Sequence, residues 1–190
     1  MCIRDSVACT RGTLLDTITE TIEIDLPVRT VYDQWTQFES FPEFMDEVEN
    51  IDQLSDSELE WTTSIAGNTD RFRTRIVSQQ PDDHIAWTTL RGDVEHQGRV
   101  EFSALADDRT ELTVQLQHDP QGGLEKLGSV LGLDDRAVSK DVKNFKSFIE
   151  DRGSATGAWR GTIEHGAVTV VDADNPRRFT GAQTFSAASA

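Results

Sequence analysis

The stretch Ile22–Glu49, IEIDLPVRTVYDQWTQFESFPEFMDEVE, decides the fold. It opens as the end of an alternating segment. From Thr17 onward Ile18, Ile22, Ile24 and Leu26 fall on one side, and Thr19, Thr21, Glu23 and Asp25 on the other. Successive side chains of a strand point to opposite faces, so this is a strand with one wet face. Pro27 stands where a helix can begin, because the first helical position needs no N–H donor. Val28, Val31, Tyr32 and Trp35 then recur at helical spacing. FESFPEFM cannot continue as one long helix, since Pro42 disfavours helical geometry at Phe41. The stretch therefore reads as a strand followed by a helix–turn–helix corner, with Trp35, Phe38, Phe41 and Phe44 facing inward.

Beyond the corner the period stays at two. Glu47–Leu54 is followed by LEWTTSIAG, which sets Leu59, Trp61, Thr63 and Ile65 against Glu60, Thr62 and Ser64. RFRTRIVS sets Phe72, Thr74 and Ile76 against Arg71, Arg73 and Arg75. HIAWTTL turns Ile85, Trp87 and Thr89 inward, VEHQGRVEFSAL turns Val94, His96, Gly98, Val100 and Phe102 inward, and ELTVQLQH does the same with Leu112, Val114 and Leu116. Short polar turns (SDSE, GNTD, QQPDD, ADDRT) separate these runs. Strands joined this way form a meander, so the sheet is expected to be antiparallel.

After Pro120 the period lengthens to about 3.6, the helical repeat. Leu124, Leu127, Val130 and Leu131 begin an apolar stripe, and Asp134 or Asp135 can cap a renewed segment. Val138, Val142, Phe145, Phe148 and Ile149 continue the stripe, with Lys140, Lys143, Lys146 and Glu150 outside and Gly153 as the stop. The expected fold is α+β: a curved antiparallel seven-stranded sheet wrapped on a long C-terminal helix, with two short helices after the first strand. A helix laid across the open side of a curved sheet leaves a cavity between them.

Residues 1–15 do not pattern like the rest and are left out of the fold as a disordered or artefactual tail. Residues 16–153 form the domain. Residues 154–190, rich in Gly, Ala, Ser and Thr, are expected to be a disordered tail.

The 190 residues carry a formal net charge of −16, and 36% of them are hydrophobic. That acidity argues against nucleic acid or an anionic membrane as partner, because both are polyanions. No apolar run reaches the ~20 residues that span a bilayer, so no stable membrane insertion is expected. The N-terminal tail has no apolar core of a secretory signal. The two cysteines, Cys2 and Cys9, lie in that tail and have no metal-ligand spacing, which fits a reducing cytoplasm and no metal site. Nothing in the sequence calls for a cofactor, and oligomeric state is not legible.

The order of elements, and the segments IEIDLPVRTVYDQW, FESFPEFMDEVENI, the central IAW strand and DVKNFKSFIEDRGSATGAW, resemble the polyketide cyclase/dehydrase and coenzyme Q-binding families of the START-like (SRPBCC, helix-grip) superfamily. The resemblance covers roughly Asp16 to Arg160. It implies a hydrophobic small molecule held between sheet and helix, with the aromatic corner as one wall or lip.

The expected ligand contacts are Trp35, Phe38, Phe41 and Phe44 from the corner, and Trp61, Thr63, Phe72, Thr74, Trp87, Thr89, His96 and Phe102 from the strands. Ordinary core packing is the alternative for each taken singly. Together they describe apolar walls with a few hydroxyls to orient a ligand. His96 is the candidate acid/base, with a structural histidine as its alternative. His118 shares its parity at a strand end. The arginine stripe reads as cross-strand pairing with Glu58, Glu60, Glu95 or Glu101. Gly98, in mid-strand, marks sheet curvature or a close approach. No inward carboxylate pair is evident. The function expected is binding of a polyketide, quinone or lipid-like molecule as carrier or sensor. The alternative is an aromatase/cyclase acting on a polyketide-like substrate. A third reading uses Trp159, an aromatic in a polar segment, as a protein-interaction point.

Overall fold

The structure, a computed structural model, describes residues 16–65, 67–91, 96–118 and 135–170. Strand β1 (Asp16–Ile24) leads into helix α1 (Val28–Trp35) and a 3-10 helix (Phe38–Glu43). Six strands follow: β2 (Val48–Gln53), β3 (Glu58–Ile65), β4 (Asn68–Gln80), β5 (His84–Arg91), β6 (His96–Ala106) and β7 (Arg109–His118). Helix α2 (Asp135–Arg152) and two short strands, β8 (Thr162–Glu164) and β9 (Ala167–Val170), complete the described chain. The Leu124–Leu131 part of the expected helical stripe lies outside the described residues.

The sheet order is β1-β7-β6-β5-β4-β3-β2, with every pair antiparallel. This is the expected α+β architecture of seven strands gripping a C-terminal helix. Pro27 sits one place earlier than the sequence suggests, at the N-cap, and its carbonyl accepts from Thr30 and Val31. Pro42 lies within the 3-10 helix, where the tighter winding replaces the α-helix it disfavours.

Helix α2 buries Val138, Val142, Phe145 and Ile149 against the sheet. Three polar bonds fix where it lies. Lys146 Nζ donates to the Glu23 carbonyl at 2.7 Å, the Asp25 N–H donates to Glu150 Oε1 at 2.8 Å, and Asn144 Nδ2 donates to the Phe44 carbonyl at 3.0 Å. Gly153, at φ +66°, ends the helix with its N–H on the Ile149 carbonyl. On the outer face Arg73 pairs with Glu60 at 2.8 Å and Arg75 with Glu58 at 2.5 Å, as cross-strand partners in register. No helix among the described residues is long and apolar enough to cross a membrane.

One expectation fails. Residues 154–170, read as disordered, are built into the fold. Trp159 is buried, its N–H bonded to Thr36 Oγ1 at 3.0 Å and its indole Nε1 to Asp56 Oδ1 at 3.2 Å. The Thr156 N–H reaches Gln34 Oε1 at 2.8 Å. Arg160 pairs with Asp33 at 2.7 Å and with Asp82, its guanidinium 5.5 Å from the centre of the Tyr32 ring. Strand β8 then pairs with β4 at Ser78 and Gln79, beyond the part of β4 that β3 occupies. Composition suggested disorder because the segment has few apolar residues. Its order comes instead from one large aromatic and from polar partners far away in sequence. Residues 171–190 and 1–15 lie outside the described residues.

Candidate functional site

Between α2, the aromatic corner and the inner face of the sheet lies a cavity of about 130 Å³. Protein interiors pack like organic crystals, with few voids larger than a water. A cavity of ~150 Å³ lined by apolar side chains is enough to hold a benzene ring. This space is therefore not a packing defect of ordinary size.

Trp35, Phe38 and Phe41 form one wall, contributed by α1 and the 3-10 helix. Their rings brace one another edge-on: Trp35 and Phe41 lie 5.5 Å apart, and Trp35 and Phe145 of α2 4.8 Å apart. The opposite wall comes from Trp61, Phe72 and Trp87 on neighbouring strands. Trp61 and Phe72 stack with centroids 5.7 Å apart and planes 7° apart. Thr63 and His96 add the polar groups of this wall, and both are buried.

Four of the expected contacts do not line the cavity. Phe44 packs on α2 instead, 5.1 Å from Phe145 and 5.3 Å from Phe148. Phe102 is buried against Tyr32 and Trp35. Thr74 accepts the Trp61 indole N–H at 2.9 Å and so holds that ring in place. Thr89 serves His96: its Oγ1 lies 2.8 Å from Nδ1, 3.0 Å from the His96 carbonyl, and accepts the His96 N–H at 3.2 Å. The hydroxyl has one proton to give. Donating to Nδ1 makes Nε2 the N–H of a neutral ring, whereas donating to the carbonyl lets Nδ1–H donate to Oγ1. Either way the ring is pinned, with Phe72 edge-on at 5.4 Å.

Gly98 explains the position of Trp87. A Cβ there would fall 2.2 and 2.5 Å from indole atoms of Trp87, its partner across β5 and β6. The ring lies flat over the bare backbone, which leaves the space in front of it open. The close approach is by a side chain of the protein itself.

The sequence reading missed a carboxylate pair. Glu47, before β2, and Asp141, on α2, both line the cavity. Both are half-buried, and their chain neighbours Asp46 and Lys140 are exposed and bonded to each other, so this is where the cavity meets solvent. The Asp141 carboxyl is pushed up to about 7, first by burial and then by the negative charges of Glu47 and Asp46, with Lys140 opposing weakly. The signal was present in the helical spacing. Asp141 stands three residues after Val138 and four before Phe145, in the apolar stripe rather than opposite it.

A second constellation lies on the outer side of the sheet. His84 bridges Ser78 Oγ, 2.7 Å from its Nε2, and the carboxylate of Asp83. It staples the β4–β5 turn, whose Asp82 has φ +63°.

A family model described as polyketide cyclase / dehydrase and lipid transport matches residues 24–147. That span runs from the end of β1 through most of α2 and contains every cavity-lining residue named above. The chain belongs to this family. An uncharacterized 17.2 kDa protein of Streptomyces lincolnensis is 44% identical to it over 146 residues, which cover 77% of this chain and 97% of the relative. Among solved structures, the Zhui aromatase/cyclase from a Streptomyces species superposes with a TM-score of 0.63 at 16% identity, covering 76% of this chain and 99% of its own. A START superfamily protein from Mycobacterium smegmatis superposes with a TM-score of 0.56 at 19% identity, covering 72% and 95%. At these identities the likeness is one of fold: this polyketide cyclase/dehydrase-family chain has the START-like helix grip.

Proposed function

We propose that this chain binds a hydrophobic small molecule, polyketide, quinone or lipid-like, in the cavity between sheet and α2, and that it acts as a carrier or sensor. The observation that carries the reading is the cavity of about 130 Å³, walled by Trp35, Phe38, Phe41, Trp61, Phe72 and Trp87. Leaving such a space empty forfeits contacts that a ligand would restore, and transfer of apolar surface into it is favourable. The family description, which includes lipid transport as well as cyclisation, agrees with this class of ligand. Native mass spectrometry of protein purified from its own host is expected to show a stoichiometric hydrophobic compound. Titration with Nile red is expected to saturate at one site. Absence of saturable binding would overturn the reading.

A second reading, an aromatase/cyclase, is favoured by one further observation. His96 and Asp141 line the same cavity, one ring pinned by Thr89 and one carboxyl titrating near neutrality. A group whose pKa lies near the working pH is suited to both give and take protons. In such a reaction a base removes a proton between two ketones, the resulting enolate attacks another ketone of the chain, and an acid protonates the alkoxide so formed; water then leaves as the base takes the remaining α-proton and the acid protonates the departing hydroxyl. Turnover of a poly-β-ketone thioester that falls at least about a hundredfold in both H96A and D141N would support this reading. Undiminished turnover in H96A would remove His96 from it.

A further inference from the structure

The segment after α2 grips a cavity wall from outside. Residues 154–164 lie beyond the span that the family model matches, residues 24–147. Their bonds to α1 fall on both sides of Trp35, which lines the cavity. Arg160 donates to Asp33, the Thr156 N–H to Gln34 Oε1, and the Trp159 N–H to Thr36 Oγ1. Gln34 is buried and carries the contact onward. Its Nε2 donates to Ser40 Oγ at 3.0 Å, within the 3-10 helix that supplies Phe38 and Phe41. The segment therefore fixes α1 and, through one amide, the aromatic corner.

The other walls are fastened differently. The strands are held by their ladders, and α2 is tied to the end of β1 through Glu23 and Asp25. The corner is tied to α2 at its far end, where Asn144 holds the Phe44 carbonyl. Movement about Trp35 and Phe38 breaks none of these bonds. A space of about 130 Å³ has room for about one ring, so a quinone or polyketide needs a wall to withdraw. The seam itself is imperfect. Gly157 lies flat on Gln37, where a Cβ would fall 2.4 Å from Gln37 Oε1. That oxygen, and Asp82 Oδ1 beside Arg160, are buried with no protein partner among the described residues. A buried acceptor without a donor opposes closure, because opening lets water reach it. We propose that residues 154–164 are a strap: seated, it holds α1 and the corner against the cavity, and ligand enters and leaves when it lifts. This rests on the reading of the cavity as a ligand site and adds how that site opens.

The test follows Nile red binding to the full-length protein by stopped flow, in the unaltered chain and in two variants. Arg160→Gln removes the fork that joins Asp33 to Asp82. Gly157→Ala pushes the backbone off Gln37 without changing charge. Neither residue lines the cavity, and thermal unfolding confirms that each variant is folded. Lifting a gate more often speeds entry and exit alike. Association and dissociation rates are both expected to rise at least about tenfold, with Kd moving less than about threefold. Damage to a wall would raise dissociation alone. Without ligand, amides of Tyr32–Gln37 are expected to exchange faster in both variants, while those of β6 and β7 stay protected. Unchanged rates with binding intact would overturn the strap and leave the ligand site standing. So would a rise in dissociation alone, or unaltered exchange at Tyr32–Gln37. Failure of Nile red to saturate the unaltered protein would overturn the ligand site, and the gate with it.

Discussion

Asp141 is the residue whose ionisation reports most on this fold. Its folded pKa, about 7, stands above the ordinary aspartate value of 3.8, with burial as the largest cause. Between those values the folded chain holds a proton that the unfolded chain has released. The contribution to stability is therefore full below about pH 4, is lost as pH rises toward 7, and stays lost above it. Asp141→Asn is expected to leave stability unchanged near pH 4 and to raise it near pH 8 by about 1–2 kcal/mol, the full shift being discounted for solvent screening at the rim. Urea midpoints at the two pH values check this, and equal effects at both would show that the carboxyl is not perturbed. At Gly98 the expected change is steric. Gly98→Ala places a methyl inside the Trp87 ring, so the indole must swing forward into the cavity. A loss of about 1–3 kcal/mol and weaker probe binding are expected, with a shift in tryptophan emission as the indole moves. At this scale the sequence was read well where parity decides. Trp61, Thr63, Phe72, Trp87 and His96 face the cavity as alternation requires. It was read poorly where a side chain serves another one. Thr74 and Thr89 have inward parity, but they hold Trp61 and His96, and no pattern of alternation distinguishes a lining hydroxyl from a supporting one.

Among the elements, the segment after α2 shows what local composition leaves out. Strands β1 to β7 and helix α2 carry their own periodicity, so each was legible within a window of a dozen residues. The chain from Ser154 to Val170 does not. Its order depends on Trp159 meeting Thr36 and Asp56, and on Arg160 meeting Asp33 and Asp82, partners 78 to 127 residues earlier. Burial raises the Asp33 carboxyl above its ordinary value, and the Arg160 hydrogen bond draws it back. The hints in the sequence were a lone tryptophan among polar neighbours, which reads equally well as an exposed contact point, and a family resemblance that runs on through GSATGAW to Arg160. The structure makes it an anchor. Trp159→Ala is expected to cost about 3–5 kcal/mol, the range for deleting a buried large aromatic. Hydrogen exchange gives the more specific readout: amides of β8 and β9 should exchange early in the variant, while those of β6 and β7 stay protected. Uniform loss of protection would mean that the segment is an inseparable part of the core.

At the scale of the molecule, the decisive feature is that the core is incomplete. The order of elements already implied a helix across a curved sheet, and hence a space between them. What the sequence could not show was how much of that space the side chains would fill. At ~24 cal/mol per Å³ of enclosed cavity, a dry void of about 130 Å³ would cost on the order of 3 kcal/mol, an upper bound for a space that opens to solvent beside Glu47 and Asp141. That is a large share of the ~5–15 kcal/mol by which domains are stable. A chain shaped only for stability would close such a void with larger side chains, since substitutions that fill cavities are easy to find. Val114 lines the space from β7, next to Leu116 and across the sheet from Val100. Val114→Phe is expected to raise the urea midpoint by the equivalent of about 1–2 kcal/mol and to abolish saturable binding of Nile red. The two effects must appear together if the space is kept for a ligand. Greater stability with binding intact would place the probe elsewhere on the molecule. Lower stability with binding intact would show that the β7 wall cannot accept more volume and that the probe does not occupy the space beside Val114.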